Sequence, residues 1–390
     1  MRYRILIVAD YLPYPLNHGG AIAQYYFLEK LQDDVSFTLC LCLRNRKDVS
    51  NLAKLKQQLP GINILSVKKY GARHFLIHRL FNGLGRRLRK QTASEQYLMD
   101  GELSDLVTRE LNTNKYQFVQ VEFFECLPII NHIPDNIKTV YVAHELRFRT
   151  LSTSTTPVLE GADLASMRLQ ETSLINKFDR VVVFTEEDKA HLQTDLNRVF
   201  VSPFGLPTAL KTSQAWTGLE KLLFLGSEGH TANLDGLIEF LEHTYIPFYD
   251  EMMLPIEILG DWSADIKASY ANYPKVIFKG MVENVADHMQ NCMLVAHILT
   301  GTGIRTKVLQ ALQNRIPVIG TRQAFEGILN YANAPVLIYD SPQAFFKLLA
   351  DIKSGTINLN LISESSGAFY QLNFNDRNLI ERRKLVYDHA

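Results

Sequence analysis

The chain has 390 residues, of which 46% are apolar and 21% are charged, so it can bury the cores of two domains. Lysine plus arginine equals aspartate plus glutamate, at 41 each, and this balance gives no net charge that would favour nucleic acid as a partner. No signal peptide and no apolar run of about 18 residues is found, which predicts a soluble cytoplasmic protein.

The first half of the chain alternates apolar runs with helical stretches. It opens with "ILIVA", a continuous apolar run of the kind that is buried on both faces in a parallel sheet. Six more runs follow, namely "VSFTLCLCL", "INILSV", "FVQVEF", "KTVYVAH", "RVVVFT" and "RVFVSPFG". This alternation predicts a doubly wound α/β domain over residues 1–204.

The pattern stops in residues 205–220, which contain proline and glycine without a clear period, and which we interpret as an interdomain linker. It restarts with "KLLFLG", "PIEILG", "KVIFKG", "MLVAHIL", "IPVIGT" and "PVLIYD". These runs predict a second doubly wound domain over residues 221–372. Residues 373–390 are polar and predict a C-terminal helix that crosses back to the first domain.

A basic stretch follows the third predicted strand. No aspartate or glutamate occurs from Val49 to Ser94, and residues 68–90 interleave cations with apolar residues, as in "HFLIHRLFNGLGRRLRK". Two interpretations stay open. The stretch is either a basic amphipathic helix that binds an anionic membrane surface, or a solvated basic helix whose apolar side packs against the core.

The segment "HILTGTGIRTKVLQALQNRIPVIGT" places two glycines and two cations where a predicted strand becomes a helix. Gly301 and Gly303 permit positive φ and close approach of a ligand to the backbone. Amides at the start of the helix add partial positive charge. If the helix starts at Thr306, a suitable N-cap, Arg305 stays in the loop and can reach the same ligand as Lys307. A diphosphate would use both cations, whereas the alternative is a tight turn with incidental surface charges.

Three further loops leave the ends of predicted strands. Gly19 and Gly20 precede a helix, which leaves either room for a bulky ligand or a flexible surface loop. His144 follows a strand and either contacts a sugar hydroxyl or a leaving phosphate, or is structural, as a lone histidine more often is. Glu326 either fixes sugar hydroxyls or caps the next helix.

Several motifs do not occur in the sequence. It has no Gly-x-x-x-x-Gly-Lys-Ser/Thr loop and no Gly-x-Gly-x-x-Gly after the first strand, so a P-loop NTPase and a dinucleotide-dependent dehydrogenase are unsupported. No Asp-x-Asp and no Cys/His zinc spacing occurs either. We therefore predict neither a metal site nor a bound cofactor.

The order of these segments resembles the family 4 retaining glycosyltransferases of the GT-B fold, over essentially the whole chain. "PLNHGG" is similar to the family's N-terminal glycine loop, and "YVAHE" to its strand ending in His-Asp, with Glu145 replacing the aspartate. "FDRVVVFTEEDKAHL" and "VFVSPFGLP" are similar to the segment that closes the first domain. "LLFLGSEGHTANLDGLIEFL", "PIEILG", "VIFKGMVENVADHM" and "GTGIRTKVLQAL" resemble successive donor-domain signatures. The last is similar to the branch with Gly-x-Gly-x-Arg-x-Lys.

The resemblance implies two Rossmann-like domains that face a cleft. It implies metal-independent transfer, with retention, of a sugar from a nucleoside-diphosphate sugar to a glycan or lipid-linked acceptor in bacterial surface polysaccharide synthesis. The catalytic residues would be His144 at the donor sugar, and Arg305 and Lys307 at the leaving diphosphate. The candidate donor-binding residues are Gly19, Gly20, Gly226, His230, Asn233, Gly280, Met281, Val282, Gly301, Thr302, Gly303, Gln310 and Glu326. Among them, Gly280 to Val282 would border the base and Gln310 the ribose.

The chain departs from the family around the glycine loop. Many members carry two glutamates separated by seven residues there. Here the second is replaced by Gln310, and the first by Thr300 or Thr302, depending on the alignment. We hypothesise that Glu326 takes the place of the missing carboxylate.

A second departure follows the first strand of the second domain. Many members have an arginine and a lysine there, whereas this chain has His230 and Asn233 in "GSEGHTAN". Arg305 and Lys307 would then supply the missing positive charge. Two other functions stay open: a GT-B epimerase or hydrolase acting on the nucleotide sugar itself, and a non-catalytic nucleotide-sugar-binding protein.

Overall fold

The structure is a computed structural model that describes residues 3–69, 101–152, 161–210, 216–250, 254–282 and 284–388. Residues 70–90 of the basic stretch lie outside the described residues, so the structure tests neither interpretation of this stretch. Within the described parts of the chain, no helix is both long and apolar enough to span a bilayer.

The chain divides into two compact units. One consists of Met1–Pro207 together with Asp376–Ala390, and the other of Thr208–Asn375. The predicted linker 205–220 is thus split between the two units. The first part of the first unit ends at Pro207, three residues after the predicted boundary at residue 204. The last helix belongs to the first unit, where the Tyr26 hydroxyl donates to Asp376 Oδ1 at 3.2 Å.

The first unit contains a seven-stranded parallel sheet in the order β3-β2-β1-β4-β5-β6-β7. Every apolar run predicted as a strand forms one, since such runs favour the interior of a parallel sheet, where helices cover both faces. The strands are β1 (Tyr3–Ala9), β2 (Val35–Leu43), β3 (Asn63–Lys68), β4 (Phe118–Glu122), β5 (Lys138–Val142), β6 (Arg180–Val183) and β7 (Val199–Val201). The helices are α1 (Gly19–Leu31), α2 (Lys47–Gln58), α3 (Gly101–Thr113), α4 (Arg147–Ser152), α5 (Gly161–Ile175), α6 (Glu186–His191) and, at the end of the chain, α12 (Asp376–Asp388).

The second unit contains a six-stranded parallel sheet in the order β10-β9-β8-β11-β12-β13. Its strands are β8 (Lys221–Leu225), β9 (Ile256–Leu259), β10 (Val276–Gly280), β11 (Cys292–Ala296), β12 (Val318–Gly320) and β13 (Val336–Ile338). Its helices are α7 (Thr231–Glu239), α8 (Ala264–Ser269), α9 (Thr306–Gln313), α10 (Pro342–Lys353) and α11 (Leu359–Asn373). The prediction of two doubly wound α/β domains is confirmed.

Both sheets reverse their strand order at the first strand. In the first unit β1 pairs with β2 on one side and β4 on the other, and in the second unit β8 pairs with β9 and β11. Right-handed crossovers before and after the reversal therefore cover opposite faces of the sheet, and the carboxyl ends at the reversal point are left accessible to ligands. The candidate residues of each unit follow the carboxyl ends of strands at or near this point.

Candidate functional site

Glycine backbone holds together the ends of three strands in the second unit. The Gly260 amide donates to the Gly280 carbonyl at 2.9 Å, and a Cβ on Gly260 would lie 2.1 Å from the Gly226 carbonyl oxygen. Only glycine fits such a contact, and Gly260 also has a φ of +133°. The predicted base-binding segment begins here: Gly280 has a φ of +75°, Met281 is 65% exposed and Val282 is half-buried.

The glycine loop after β11 has the conformation that its sequence predicts. Gly301 and Gly303 have φ values of +92° and +80°, which explains why glycine is needed at both positions. Helix α9 begins at Thr306 as expected, but the residue in the N-cap position is Arg305 and not Thr306. Arg305 Nη1 donates to the Thr302 carbonyl at 2.6 Å, so the guanidinium folds back over the loop.

The carboxylate of Glu326, which follows β12, hydrogen-bonds to this loop. Glu326 is buried; its Oε1 accepts from the Gly303 amide at 3.2 Å and its Oε2 from Gln323 Nε2 at 3.0 Å. Gln323 Nε2 also donates to the Gly301 carbonyl at 2.7 Å. The amide of Gly303, a predicted donor-binding residue, is thus directed to Glu326. Glu326 follows a short 3-10 turn, Arg322–Phe325, so the expectation that it caps a following helix is not met.

Lys307 projects from α9 towards the end of β8. Its Nζ donates to the Leu225 carbonyl at 2.6 Å and to Asn233 Oδ1 at 2.9 Å, and it lies 5.3 Å from the centre of the Phe224 ring. Burial lowers the pKa of Lys307 to about 7, and the charge of Arg305 adds to this effect. The ammonium is therefore poised to gain or lose its proton near neutral pH.

Asn233 connects Lys307 to the glycine that follows β8. A Cβ on Gly226 would lie 2.6 Å from Asn233 Cγ, so the amide occupies the space that a side chain would need. Gly226, Asn233 and Lys307, three of the predicted site residues, thus form one cluster at this strand end. His230 is the N-cap residue of α7 with an exposed side chain, and Gln310 is half-buried one turn beyond Lys307.

The first unit has its own cluster, at the carboxyl ends of β4 and β5. The His144 side chain is only 7% exposed and hydrogen-bonds through Nε2 to Glu122 Oε2. Its ring stacks on Phe123 with 3.7 Å between ring centres and meets the edge of Phe184 at 5.2 Å. Sequence reasoning found His144 but missed Glu122. The available signal was the alternation of Gln120 and Glu122 in "FVQVEF", two polar residues in an otherwise apolar strand.

Gly20 is needed because two side chains pack against it. A Cβ there would lie 2.2 Å from Tyr11 Oη and 2.9 Å from Phe123 Cε1. The alternatives drawn from the sequence were room for a ligand or a flexible loop, and in the structure these aromatic side chains take the space. Gly19 begins α1, and His18 caps that helix through its ring Nδ1.

With these positions established, comparison with known proteins becomes informative. Residues 220–353 match the family described as glycosyl transferases group 1. Over nearly its whole length the chain is similar to a Klebsiella pneumoniae protein described as an uncharacterized 44.6 kDa protein in the cps region. The two are 19% identical over 395 residues, which cover 96% of this chain and 97% of the relative.

Solved structures share the fold across the whole chain. HepE of Anabaena, in complex with UDP-glucose, superposes with a TM-score of 0.68 at 10% identity, covering 99% of this chain and 100% of that one. A TarM mutant of S. aureus, in complex with Fondaparinux, alpha-GlcNAc-glycerol and UDP, gives 0.70 at 12% identity and the same coverage. Sucrose-phosphate synthase of Thermosynechococcus elongatus gives 0.68 at 12% identity, covering 99% and 98%.

The comparisons show the GT-B fold for the chain and a match to group 1 glycosyl transferases within its second unit. The family match covers β8 to α10, and so includes the glycine loop, Lys307 and Glu326. The structural likeness, at identities this low, establishes the fold of the whole chain and no more.

We predict that Gly20→Ala destabilises the protein by about 1–3 kcal/mol, because the new methyl group overlaps the Tyr11 hydroxyl and the Phe123 ring. Tyr11→Phe removes the nearer of these atoms. The double variant Gly20→Ala/Tyr11→Phe should therefore regain part of the loss, which urea unfolding can measure as a coupling energy. Gly101→Ala, where a Cβ meets nothing within 4 Å, is the matched control. Strictly additive effects of the two substitutions would contradict the packing argument.

Proposed function

We propose that the protein is a retaining glycosyltransferase that moves a hexosyl group from a nucleoside-diphosphate sugar to a glycan or lipid-linked acceptor. The observation that carries the proposal is the glycine loop with Arg305 and Lys307, at the reversal point of the unit that matches group 1 glycosyltransferases. The nucleotides in the HepE and TarM complexes support UDP as the first nucleotide to test. The cps-region relative supports a role in surface polysaccharide synthesis.

In this proposal the two cations hold the diphosphate. Lys307 loses part of its charge to burial in the free protein, and an anionic diphosphate beside it restores the protonated form. Arg305 lies in the loop next to the helix N-terminus, where backbone amides favour an anion. Fixed positive charge at the leaving diphosphate stabilises the transition state without a metal ion.

The other predicted residues are assigned the following roles in the proposal. Gly280, Met281 and Val282 border the base, and Gln310 reaches the ribose. Glu326 holds the glycine loop through the Gly303 amide, and we assign it to positioning the loop instead of contacting the sugar. His144 contacts the donor sugar. The basic stretch 68–90 holds the enzyme at an anionic membrane face, next to a lipid-linked acceptor.

The reaction itself is tested with a donor panel. Thermal-shift screening against nucleoside diphosphates first identifies the nucleotide, because a bound ligand raises the melting temperature. Transfer from the matching sugar nucleotide to a glycan acceptor, followed by ¹H NMR, should then give a product with the anomeric configuration of the donor. An inverted product would refute retention. Release of free sugar or an epimerised nucleotide, without transfer, would favour the epimerase or hydrolase alternative.

The diphosphate site is tested by removing its cations. Arg305→Gln and Lys307→Met should each weaken binding of the nucleoside diphosphate by about tenfold to a hundredfold, since each removes a charged hydrogen bond. Isothermal titration calorimetry measures the change. Lys267→Gln, which removes an exposed cation from α8 of the same unit, is the control and should bind like the unmodified protein. Equal affinity of all three variants would exclude this site.

The lowered pKa of Lys307 predicts that nucleotide binding takes up a proton. At pH 8 the free side chain is mostly neutral because its pKa is about 7, and a bound diphosphate raises that pKa. Uptake should approach about one proton per nucleotide at pH 8 and fall as the pH is lowered below 7. Titrations in two buffers of different ionisation enthalpy measure it. The Lys307→Met variant should show none, and undiminished uptake in that variant would assign the proton to another group.

A further inference from the structure

A buried chain of hydrogen bonds connects the last helix to His144. We propose that Glu122 is a positioning residue that fixes the His144 ring with its proton on Nε2, and that Gln120 and Tyr387 orient Glu122. The proposal rests on the function proposed above for His144 as a contact of the donor sugar. The connection itself is a feature of the first unit alone.

The partners in this series of hydrogen bonds determine which group donates and which accepts in each bond. Tyr387 Oη bonds to Gln120 Oε1, Gln120 Nε2 donates to Glu122 Oε1 at 2.5 Å, and Glu122 Oε2 meets His144 Nε2. An ionised carboxylate only accepts, so Gln120 must present its NH₂ group to Glu122 and its oxygen to Tyr387. By the same rule the His144 proton is on Nε2. Nδ1 then carries the lone pair and can accept from a sugar hydroxyl.

The carboxylate is buried with few alternative partners. Gln120 and Glu122 are each 3% exposed, and Tyr387 is 2% exposed. The cavity that adjoins them, which Gln24 also lines, has a volume of about 10 Å³, no more than one water molecule requires. The orientation of Glu122 therefore depends on these side chains and not on bulk solvent.

The last helix also supplies a compensating charge. Arg383 is 1% exposed, donates from Nε to Ser202 Oγ at 3.0 Å and lies 3.6 Å from the centre of the Phe27 ring. Burial lowers the pKa of Arg383, and the attraction of Tyr387 and Glu122 opposes that shift. Buried charges are tolerated when an opposite charge and hydrogen bonds accompany them.

The His144 ring is held on its face as well as at its edge. Phe123, which stacks on it, has a φ of +67°, a conformation that is rare and costly for a bulky residue. Tyr11 packs against Phe123 with 4.1 Å between ring centres. A ring held both by stacking and by a directed hydrogen bond is preorganised to receive a ligand in one orientation.

Nitrogen NMR of protein labelled at its histidine rings tests the tautomer directly, with His144→Gln assigning the signal. At pH 8 we expect the Nε2–H form in the unmodified protein and in Glu122→Gln, whose amide oxygen can still accept. Glu122→Leu should give a mixture of the two tautomers, and Tyr387→Phe should shift the populations part of the way towards that mixture. A His144 ring protonated on Nδ1, or tautomer populations that do not change in Glu122→Leu, would overturn the proposal.

Kinetics separate positioning from stability. Glu122→Leu should lower kcat by about tenfold to a hundredfold with donor KM within about threefold, and Glu122→Gln should recover most of the rate. If Glu122→Leu does not fold, Tyr387→Phe and Glu122→Gln are used for the test. An unchanged kcat in Tyr387→Phe would show that Tyr387 does not orient Glu122. The NMR result does not depend on turnover. A protein without transferase activity but with the expected tautomers would therefore refute the proposed function and leave the Glu122–His144 assignment standing.

Discussion

The parallel sheets place the candidate residues at the carboxyl ends of their strands, and the reversal of strand order opens the centre of that edge. Strand β1 lies between β2 and β4, and strand β8 lies between β9 and β11. The helices that connect the strands on the two sides cover opposite faces of each sheet. The carboxyl ends between them can approach each other closely only where side chains are small. Gly260 against the Gly226 carbonyl is such a contact.

Two buried charges in these regions are accommodated differently. Lys307 donates to a backbone carbonyl and an amide oxygen, which do not neutralise its charge, so burial lowers its pKa to about 7. Glu122 instead accepts from His144 and Gln120, with Arg383 on the last helix attracted to it. A cation with an incompletely compensated charge can respond to an anionic ligand, whereas a fully bonded carboxylate can hold a neighbour still. The two arrangements thus suit binding and positioning respectively.

The strands were predictable because each is a short apolar run, and the central ones are almost wholly buried. Positive φ at Gly301 and Gly303 was predictable for a similar reason. The partner of Gly20 was not, since Tyr11 reaches it through the fold of an irregular loop. Tyr387 and Arg383 gave no signal either, because they lie on a helix whose sequence is mostly polar and whose buried side depends on a distant part of the chain.

Glu326 shows how a departure in sequence relates to position in space. The glycine loop and helix α9 contain no glutamate of their own, yet a carboxylate from the segment after β12 reaches the loop and accepts from the Gly303 amide. That bond, with Gln323 on the Gly301 carbonyl, restrains both glycines in a segment that their φ freedom would otherwise leave loose. Stabilisation of a leaving diphosphate depends on donors that need not reorganise during the reaction. A restrained glycine loop meets that condition, so under the proposed function Glu326 would contribute to catalysis without contacting the sugar.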